Sequence, residues 1–429
     1  MGLAVFIIVF LILLLTSAPV AVAMIGSSIF FLLFVKPDDL VIVSHRMVLT
    51  LDAFPLVAIP LFVLVGELMS RGGLTERLVA FASLLVGRLT GGLAHVTVVS
   101  NMLMSGITGS AAADAAATGS LLIPAMRSRG YSAPFAAAIT AASATMGPVI
   151  PPSIPMVVLG VMAGISIGKL FIGGIMPGIL MGAFLMIAAY LVARRRGYGA
   201  GDASFARDNA LAAVRGAIFP LVVPILIIGG ILGGVFTPTE AADAGVLVVL
   251  LIGSLAFREL GFRDILQSLR QTIRIIGPIM LIVSAASVFG LVLTQERGGE
   301  LLTGFVTSIS RDPTVVLALI SVTVLILGMF MEGLAIVILL IPVLTPLIVA
   351  VSIDPVHFGV VFIMSLSIGL ITPPVGITMY IGMSIAKISM EEFTREIWPY
   401  LAALLLVLAL IVVFPPAVLV LPSLLMPTP

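Results

Sequence analysis

SGITGSAAADAAATGSLLIPAM, from Ser105 to Met126, and GPVIPPS, from Gly147 to Ser153, form the stretch on which the reading of this chain turns. The first run packs small and hydroxyl residues densely into an otherwise very apolar sequence. The second interrupts an apolar helical pattern with Gly147, Pro148, Pro151 and Pro152. Proline removes a backbone donor and clashes with the preceding turn, so a regular helix ends here. Backbone that leaves the helix inside a bilayer must find its partners in protein or in a watery cavity. Discontinuous helices of this kind are how secondary transporters build ion and substrate sites.

A second copy stands 222 residues downstream: Pro151-Pro152 is matched by Pro373-Pro374 in GLITPPVG (Gly369 to Gly376), Gly147 by Gly369, and Pro124 by Pro346. GMFMEGLA (Gly328 to Ala335) takes the place of SGITGSAAADA. The pattern predicts two related halves, each with a re-entrant helical hairpin and a broken helix.

Composition agrees. The 429 residues are 61% hydrophobic and 10% charged, with a mean hydropathy of +1.31. This excludes a water-soluble domain and predicts an all-α polytopic membrane protein with on the order of ten spans of roughly 20 residues. Strand-type alternation is absent, which argues against an outer-membrane barrel. A net charge of +1 offers no polybasic surface for nucleic acid. The lack of cysteine removes disulfides, thiol catalysis and thiolate metal sites together. His45, His95 and His357 are the only imidazoles, and the sequence does not gather them. The 42 glycines and 27 prolines suit tight helix packing and broken helices.

The organisation follows. Residues 1–193 form a first half, with a scaffold arm over about 40–70 and a hairpin and broken helix over about 92–165. Residues 194–213 are a linker, whose RRRGYGAGDASFARD (Arg194 to Asp208) is cytoplasmic by the positive-inside rule. Residues 214–429 form the second half, with an arm over about 257–294, a hairpin and broken helix over about 313–388, and a C-terminal span. Both arms, Leu40 to Phe54 and Phe257 to Ile276, read as amphipathic interfacial helices that precede the spans Leu56–Met69 and Pro278–Thr294; ordinary connecting loops are the alternative. An odd number of crossings per half would bring the hairpins in from opposite sides, as an inverted repeat. Met1 to Val35, with Pro19 in its middle, is too long for one span and short for two; a signal peptide ending at AVA (Ala21 to Ala23) is an alternative that lacks a basic start.

Sodium needs several oxygen ligands, which hydroxyls and the freed carbonyls of an unwound turn supply. One candidate site joins Ser105 and Thr108 to carbonyls of Gly147, Ile150 and Pro152. Repeat symmetry places another at Gly328, Gly369, Thr372 and Val375. Close helix packing by small residues is the competing reading of both. An anionic substrate belongs at the opposite helix ends, where free N–H groups favour carboxylates, with Ser110, Thr145, Ser153 and Thr378 as hydroxyl donors. Asp114 and Glu332 stand just beyond the hairpin turns, as acidic support for the ions or as helix-start carboxylates. TPTE (Thr237 to Glu240) reads as a capping box, and Asp243 has no partner in this reading. The sequence shows no H-E-x-x-H, G-x-S-x-G, Walker loop or cysteine nucleophile, so it reads as no enzyme and no ATPase.

Together SGITGSAAADAAATGSLLIPAM, GPVIPPS, GVFTPTEAADAG (Gly234 to Gly245), GMFMEG, IDPVHFG (Ile353 to Gly359) and GLITPPVG resemble the large membrane subunit of tripartite ATP-independent periplasmic (TRAP) transporters, over nearly the whole chain. The resemblance implies a sodium-driven, elevator-type importer of small carboxylates in the bacterial inner membrane. It implies at least two Na+ ions at the two sites above, no organic cofactor, a periplasmic substrate-binding protein and a small membrane subunit of four helices. No four-helix block precedes the motifs, so that subunit is expected as a separate chain. Where the family pattern carries Asp and Asn, this chain has Glu332 and Thr378. A sodium/dicarboxylate or anion symporter that works without a binding protein is the alternative. An intramembrane hydrolase would need a paired nucleophile and base, which His95 and His357 do not offer.

Overall fold

The computed structural model describes residues 2–36, 40–199, 210–256 and 258–426, and every regular element among them is a helix. The first half comprises α1 (Gly2–Leu15), α2 (Val20–Phe30), α3 (Val41–Leu51), α4 (Ala58–Arg71), α5 (Leu74–Val86), α6 (Gly92–Thr108), α7 (Ala111–Ser128), α8 (Ala133–Ala144), α9 (Ile154–Ala163) and α10 (Ile167–Arg196). The second comprises α11 (Ala210–Leu232), α12 (Pro238–Leu251), α13 (Phe262–Gln295), α14 (Gly298–Ile309), α15 (Pro313–Gly328), α16 (Gly333–Ala350), α17 (Pro355–Gly369), α18 (Ile377–Ala386), α19 (Met390–Val413) and α20 (Pro416–Leu425).

The spacing read from a few prolines and glycines extends through the helices. Shifted by 222 residues, α7 acquires the bounds of α16 to the residue. The starts of α8, α9 and α10 fall within one residue of those of α17, α18 and α19. Even the π turns that continue α2 (Phe31–Val35) and α12 (Ile252–Ala256) correspond, and both Pro-Pro bonds are cis.

One pair of counterparts differs. In the first half the arm α3 ends at Leu51, and a short 3₁₀ turn, Phe54–Val57, leads into α4. Ala53 is extended just before that turn, and Pro55 stands in its first positions, where a missing N–H costs nothing. In the second half arm and span are one helix, α13, which Pro278 enters without ending. The interfacial helix read over Phe257 to Ile276 is therefore continuous with the span Pro278–Thr294, so that α13 occupies most of the arm expected over about 257–294; Phe257 lies outside the described residues. At 1.5 Å per residue its 34 residues span about 51 Å, more than the hydrocarbon thickness, so its polar start reaches beyond the apolar layer.

Packing divides the chain into two layers. Helices α6–α10 and α15–α19 make a body, and α1–α5 with α11–α14 make a frame along it. Neighbours are exchanged between the halves: α16 packs on α9 as α18 packs on α7, and α13 packs on α2 as α12 packs on α4. Such reciprocity is the contact pattern a two-fold axis produces. Ala21 and Ala23 are buried, as are Phe6, Phe31 and Phe289, so the AVA segment is part of the core rather than a cleavage site. Among the described residues, seven helices are long and apolar enough to cross a membrane, and α14 and α15 form a further pair bent by 118°.

The body is fastened at one end. Arg196 donates to Glu396 of α19 at 2.9 Å and to Ser132, the N-cap of α8, at 3.4 Å, and the Ser132 N–H donates to the Tyr198 hydroxyl at 3.1 Å. The linker expected over 194–213 keeps helical flanks, since α10 runs through Arg196 and α11 starts at Ala210; residues 200–209 lie outside the described ones. The capping box at Thr237 and Glu240 forms as read from TPTE, with N–H bonds of 3.3 and 2.7 Å.

Candidate functional site

Helices α6 and α7 form the first hairpin, closed by Gly109 in the left-handed region at φ +60°. Its tip is pressed into the break between α8 and α9. A Cβ on Gly109 would lie 2.7 Å from the Pro152 carbonyl oxygen, and one on Gly147 would lie 2.7 Å from Asp114 Oδ2 and 2.9 Å from the Ser110 carbonyl carbon. Only glycine allows this approach.

Behind the contact lies a buried polar network. Thr108 Oγ1 donates to Asp114 Oδ1 at 2.5 Å, and Ser105 Oγ reaches Asp114 Oδ2 at 3.2 Å while donating to the Asn101 carbonyl at 2.6 Å. Thr118 Oγ1 donates to Asn101 Oδ1 at 3.0 Å, and Asn101 Nδ2 donates to Ser143 Oγ at 2.6 Å. Asp114, Asn101 and Ser105 are fully buried. Among the described residues, the carbonyls of Gly147, Ile150 and Pro152 receive no N–H or hydroxyl, and that of Pro152 faces Gly109 at the tip, whereas that of Pro148 accepts from Ser153 Oγ at 2.5 Å. The break therefore offers a carboxylate, two hydroxyls and free carbonyls together, the hard oxygen donors a small cation prefers.

The second hairpin, α15 and α16, meets its break in the same way but with different chemistry. Gly328 and Gly369 pack backbone to backbone, with a Cβ on Gly328 only 3.0 Å from Gly369 Cα. Gly376 N–H donates to the Met329 carbonyl at 3.1 Å, which ties tip to break. The Gly369 carbonyl accepts from Thr372 N–H at 3.0 Å, and the Thr372 hydroxyl donates back to Ile368 at 2.8 Å. Thr372 is thus the single side-chain oxygen among Gly328, Gly369, Thr372 and Val375. Val375 is exposed, whereas Ile150 is the only residue of the first break between Thr145 and Ser153 that is not buried.

The offset also sorts the two acidic residues. Glu332 corresponds to Ser110, not to Asp114, and both are N-caps: Ser110 Oγ accepts from Ala113 N–H at 3.4 Å and Glu332 Oε2 from Ala335 N–H at 3.1 Å. The counterpart of Asp114 is Ile336, so the second break has no carboxylate at the position of Asp114.

Between the tips lies a cavity of about 630 Å³. Four helix N-termini line it: α7 through Ser110 and Ala111, α9 through Ile154, α16 through Glu332, and α18 through Thr378. Ala111 and Ala112 N–H have no acceptor among the described residues, and the Thr378 hydroxyl is buried without a partner. Ile275, Pro278 and Ile279 of α13 form the facing wall. Pro278 leaves the Arg274 carbonyl without its helical donor. Of the hydroxyls proposed to meet substrate, Ser110 and Thr378 are on the cavity wall. Thr145, which donates to Ala142 at 2.6 Å, and Ser153, which caps α9, are buried in the break behind it.

Asn101 escaped the sequence reading. Its signal was an amide within an apolar helix, one turn before Ser105. His357 Nε2 donates to the Ile411 carbonyl at 2.7 Å, a structural bond between α17 and α19.

Two hairpin tips pressed into two broken helices around one cavity, in a wholly helical and strongly apolar chain, define a secondary transporter. Residues 7–417 match the family described as tripartite ATP-independent periplasmic transporter, DctM component, and the chain belongs to that family. It is 40% identical to the sialic acid TRAP transporter large permease protein SiaM of Vibrio cholerae serotype O1, over 96% of each chain. It is 35% identical to the C4-dicarboxylate TRAP transporter large permease protein DctM of Pseudomonas aeruginosa, over 91% of this chain and 92% of that one. The solved YdaH transporter of Alcanivorax borkumensis shares the fold with a TM-score of 0.66 over 88% of this chain and 89% of that one, at 16% identity. The chain is thus a TRAP permease, a multi-pass protein of the bacterial inner membrane and not an enzyme. Membership implies a periplasmic binding protein and a small membrane subunit as partners.

Proposed function

We propose that this permease imports a small carboxylate handed over by a periplasmic binding protein, driven by at least two Na+ ions and moving its body against its frame as an elevator. The observation that carries this reading is the convergence of four helix N-termini on one cavity between the tips, beside a break lined with free oxygen donors. Helix N-termini favour anions, and about 630 Å³ is within the usual range for a small-molecule site. Among the described residues no Lys or Arg lines the cavity, whose one ionisable side chain is the α16 cap Glu332, so the carboxylate rests on dipoles, N–H groups and nearby cations. Relatives named for sialic acid, isethionate and C4-dicarboxylates support an organic acid as cargo. The reciprocal packing of the halves supports a two-fold repeat, of which the inverted form is the one proposed.

The test is uptake into proteoliposomes holding both membrane subunits, with the binding protein outside and sialic acid, isethionate and succinate offered in turn. An inward sodium gradient is expected to drive uptake of one of them without ATP. Equal uptake in sodium-free buffer would sink the coupling, and equal uptake without binding protein would favour the independent symporter.

A further inference from the structure

A second cavity, of about 390 Å³, separates α4 of the frame from the first hairpin. Glu67, Ser70, Thr108, Ser110 and Ile154 are among its walls, and Glu67 is the single ionisable side chain there. Gly66 brings α4 close, since a Cβ at that position would stand 3.4 Å from Thr108 Cα. Glu67 forms neither hydrogen bond nor ion pair among the described residues. Arg71, one turn along α4, acts on Glu67 through its charge alone and donates its hydrogen bond to Gln267 at 2.8 Å. A carboxylate on an apolar helix is costly without a partner, and such a residue calls for a functional explanation. Across the cavity is the Thr108 side chain, whose hydroxyl donates directly to Asp114.

We propose that Glu67 collects cations in this vestibule between frame and hairpin, from which Na+ passes Thr108 to the oxygen cluster around Asp114. The proposal rests on the sodium reading above and adds the route of entry. It gives the carboxylate of Glu67 a role beside a cavity that shares Ser110, Ile154 and Ile275 with the substrate cavity. A carboxylate beside a low-dielectric cleft raises the local concentration of its counter-ion and hence its on-rate, and this effect fades with ionic strength.

The permease with its small subunit is purified and ²²Na+ binding followed in time and at equilibrium. Glu67→Gln is expected to slow association about 10-fold at low ionic strength, with the difference closing in 0.5 M choline chloride and the saturating amount unchanged. Glu67→Asp should restore most of the rate. Ser70→Arg, at an exposed position, should slow association by opposing charge and serves if Glu67→Gln misfolds. Parental rates in these variants, or a lower saturating amount at an unchanged rate, would overturn the collecting role while leaving sodium coupling intact. Absence of ²²Na+ binding by the parental chain would instead remove the sodium reading and this inference with it.

Discussion

Asp114 decides how the two breaks differ. It is buried, accepts from Thr108 and Ser105, and has Ile336 as its counterpart. A proposed cation in the first break meets a carboxyl group and two hydroxyls, whereas in the second it meets carbonyls and Thr372 alone. Ser105→Ala is therefore expected to weaken the sodium dependence of uptake more than Thr372→Val. Losing one neutral oxygen beside an ion costs ~1–3 kcal/mol, by analogy with a hydrogen bond to a charged group, which is roughly a 5- to 150-fold weaker dependence. Sodium titrations of uptake check the order, and equal effects would contradict the asymmetry. The sequence displayed Ser105, Thr108 and Asp114 but not their connection, because hydrogen bonds through Asn101 depend on which helix faces meet.

At the level of elements, the hairpin tip and the unwound turn act as one unit because two glycines let backbones touch. Gly147→Ala puts a methyl where Asp114 Oδ2 and the Ser110 backbone stand. Overpacking of this kind costs about 1–3 kcal/mol and should displace the tip, so sodium-driven uptake is expected to be lost while the protein still reaches the membrane. Thr237→Ala, which removes the cap of α12, should cost about 1 kcal/mol of stability and leave the sodium dependence parental. Melting curves and uptake on both variants separate a broken site from a weakened frame; parental uptake by Gly147→Ala would refute the role of the contact. Prolines and glycines fixed the hairpins and breaks in the sequence because their constraints are local. The single helix of α13 was not legible, since Pro278 and Pro55 look alike in sequence and only surrounding packing lets one stay helical.

Over the whole molecule, the 222-residue spacing and the exchanged neighbours call for a two-fold relation but leave its axis open: along the membrane the halves are inverted, across it they are parallel. The arginines ending α10 favour the cytoplasmic face, and the bond from Arg196 to Ser132 brings the turn after α7 to that same end. Inversion then sends the corresponding end of the second hairpin, near Arg311, to the periplasm. The chain has no cysteine, so single thiols can be introduced without removing native ones. Ser128→Cys and Arg311→Cys, both at exposed positions, are treated with a membrane-impermeant maleimide in intact cells and again after lysis. Labelling of Arg311→Cys in intact cells, and of Ser128→Cys only after lysis, is expected. If both react from the same side the repeat is parallel, and the hairpins then cannot approach the shared cavity from opposite faces, which removes the geometric basis for alternating access by a sliding body.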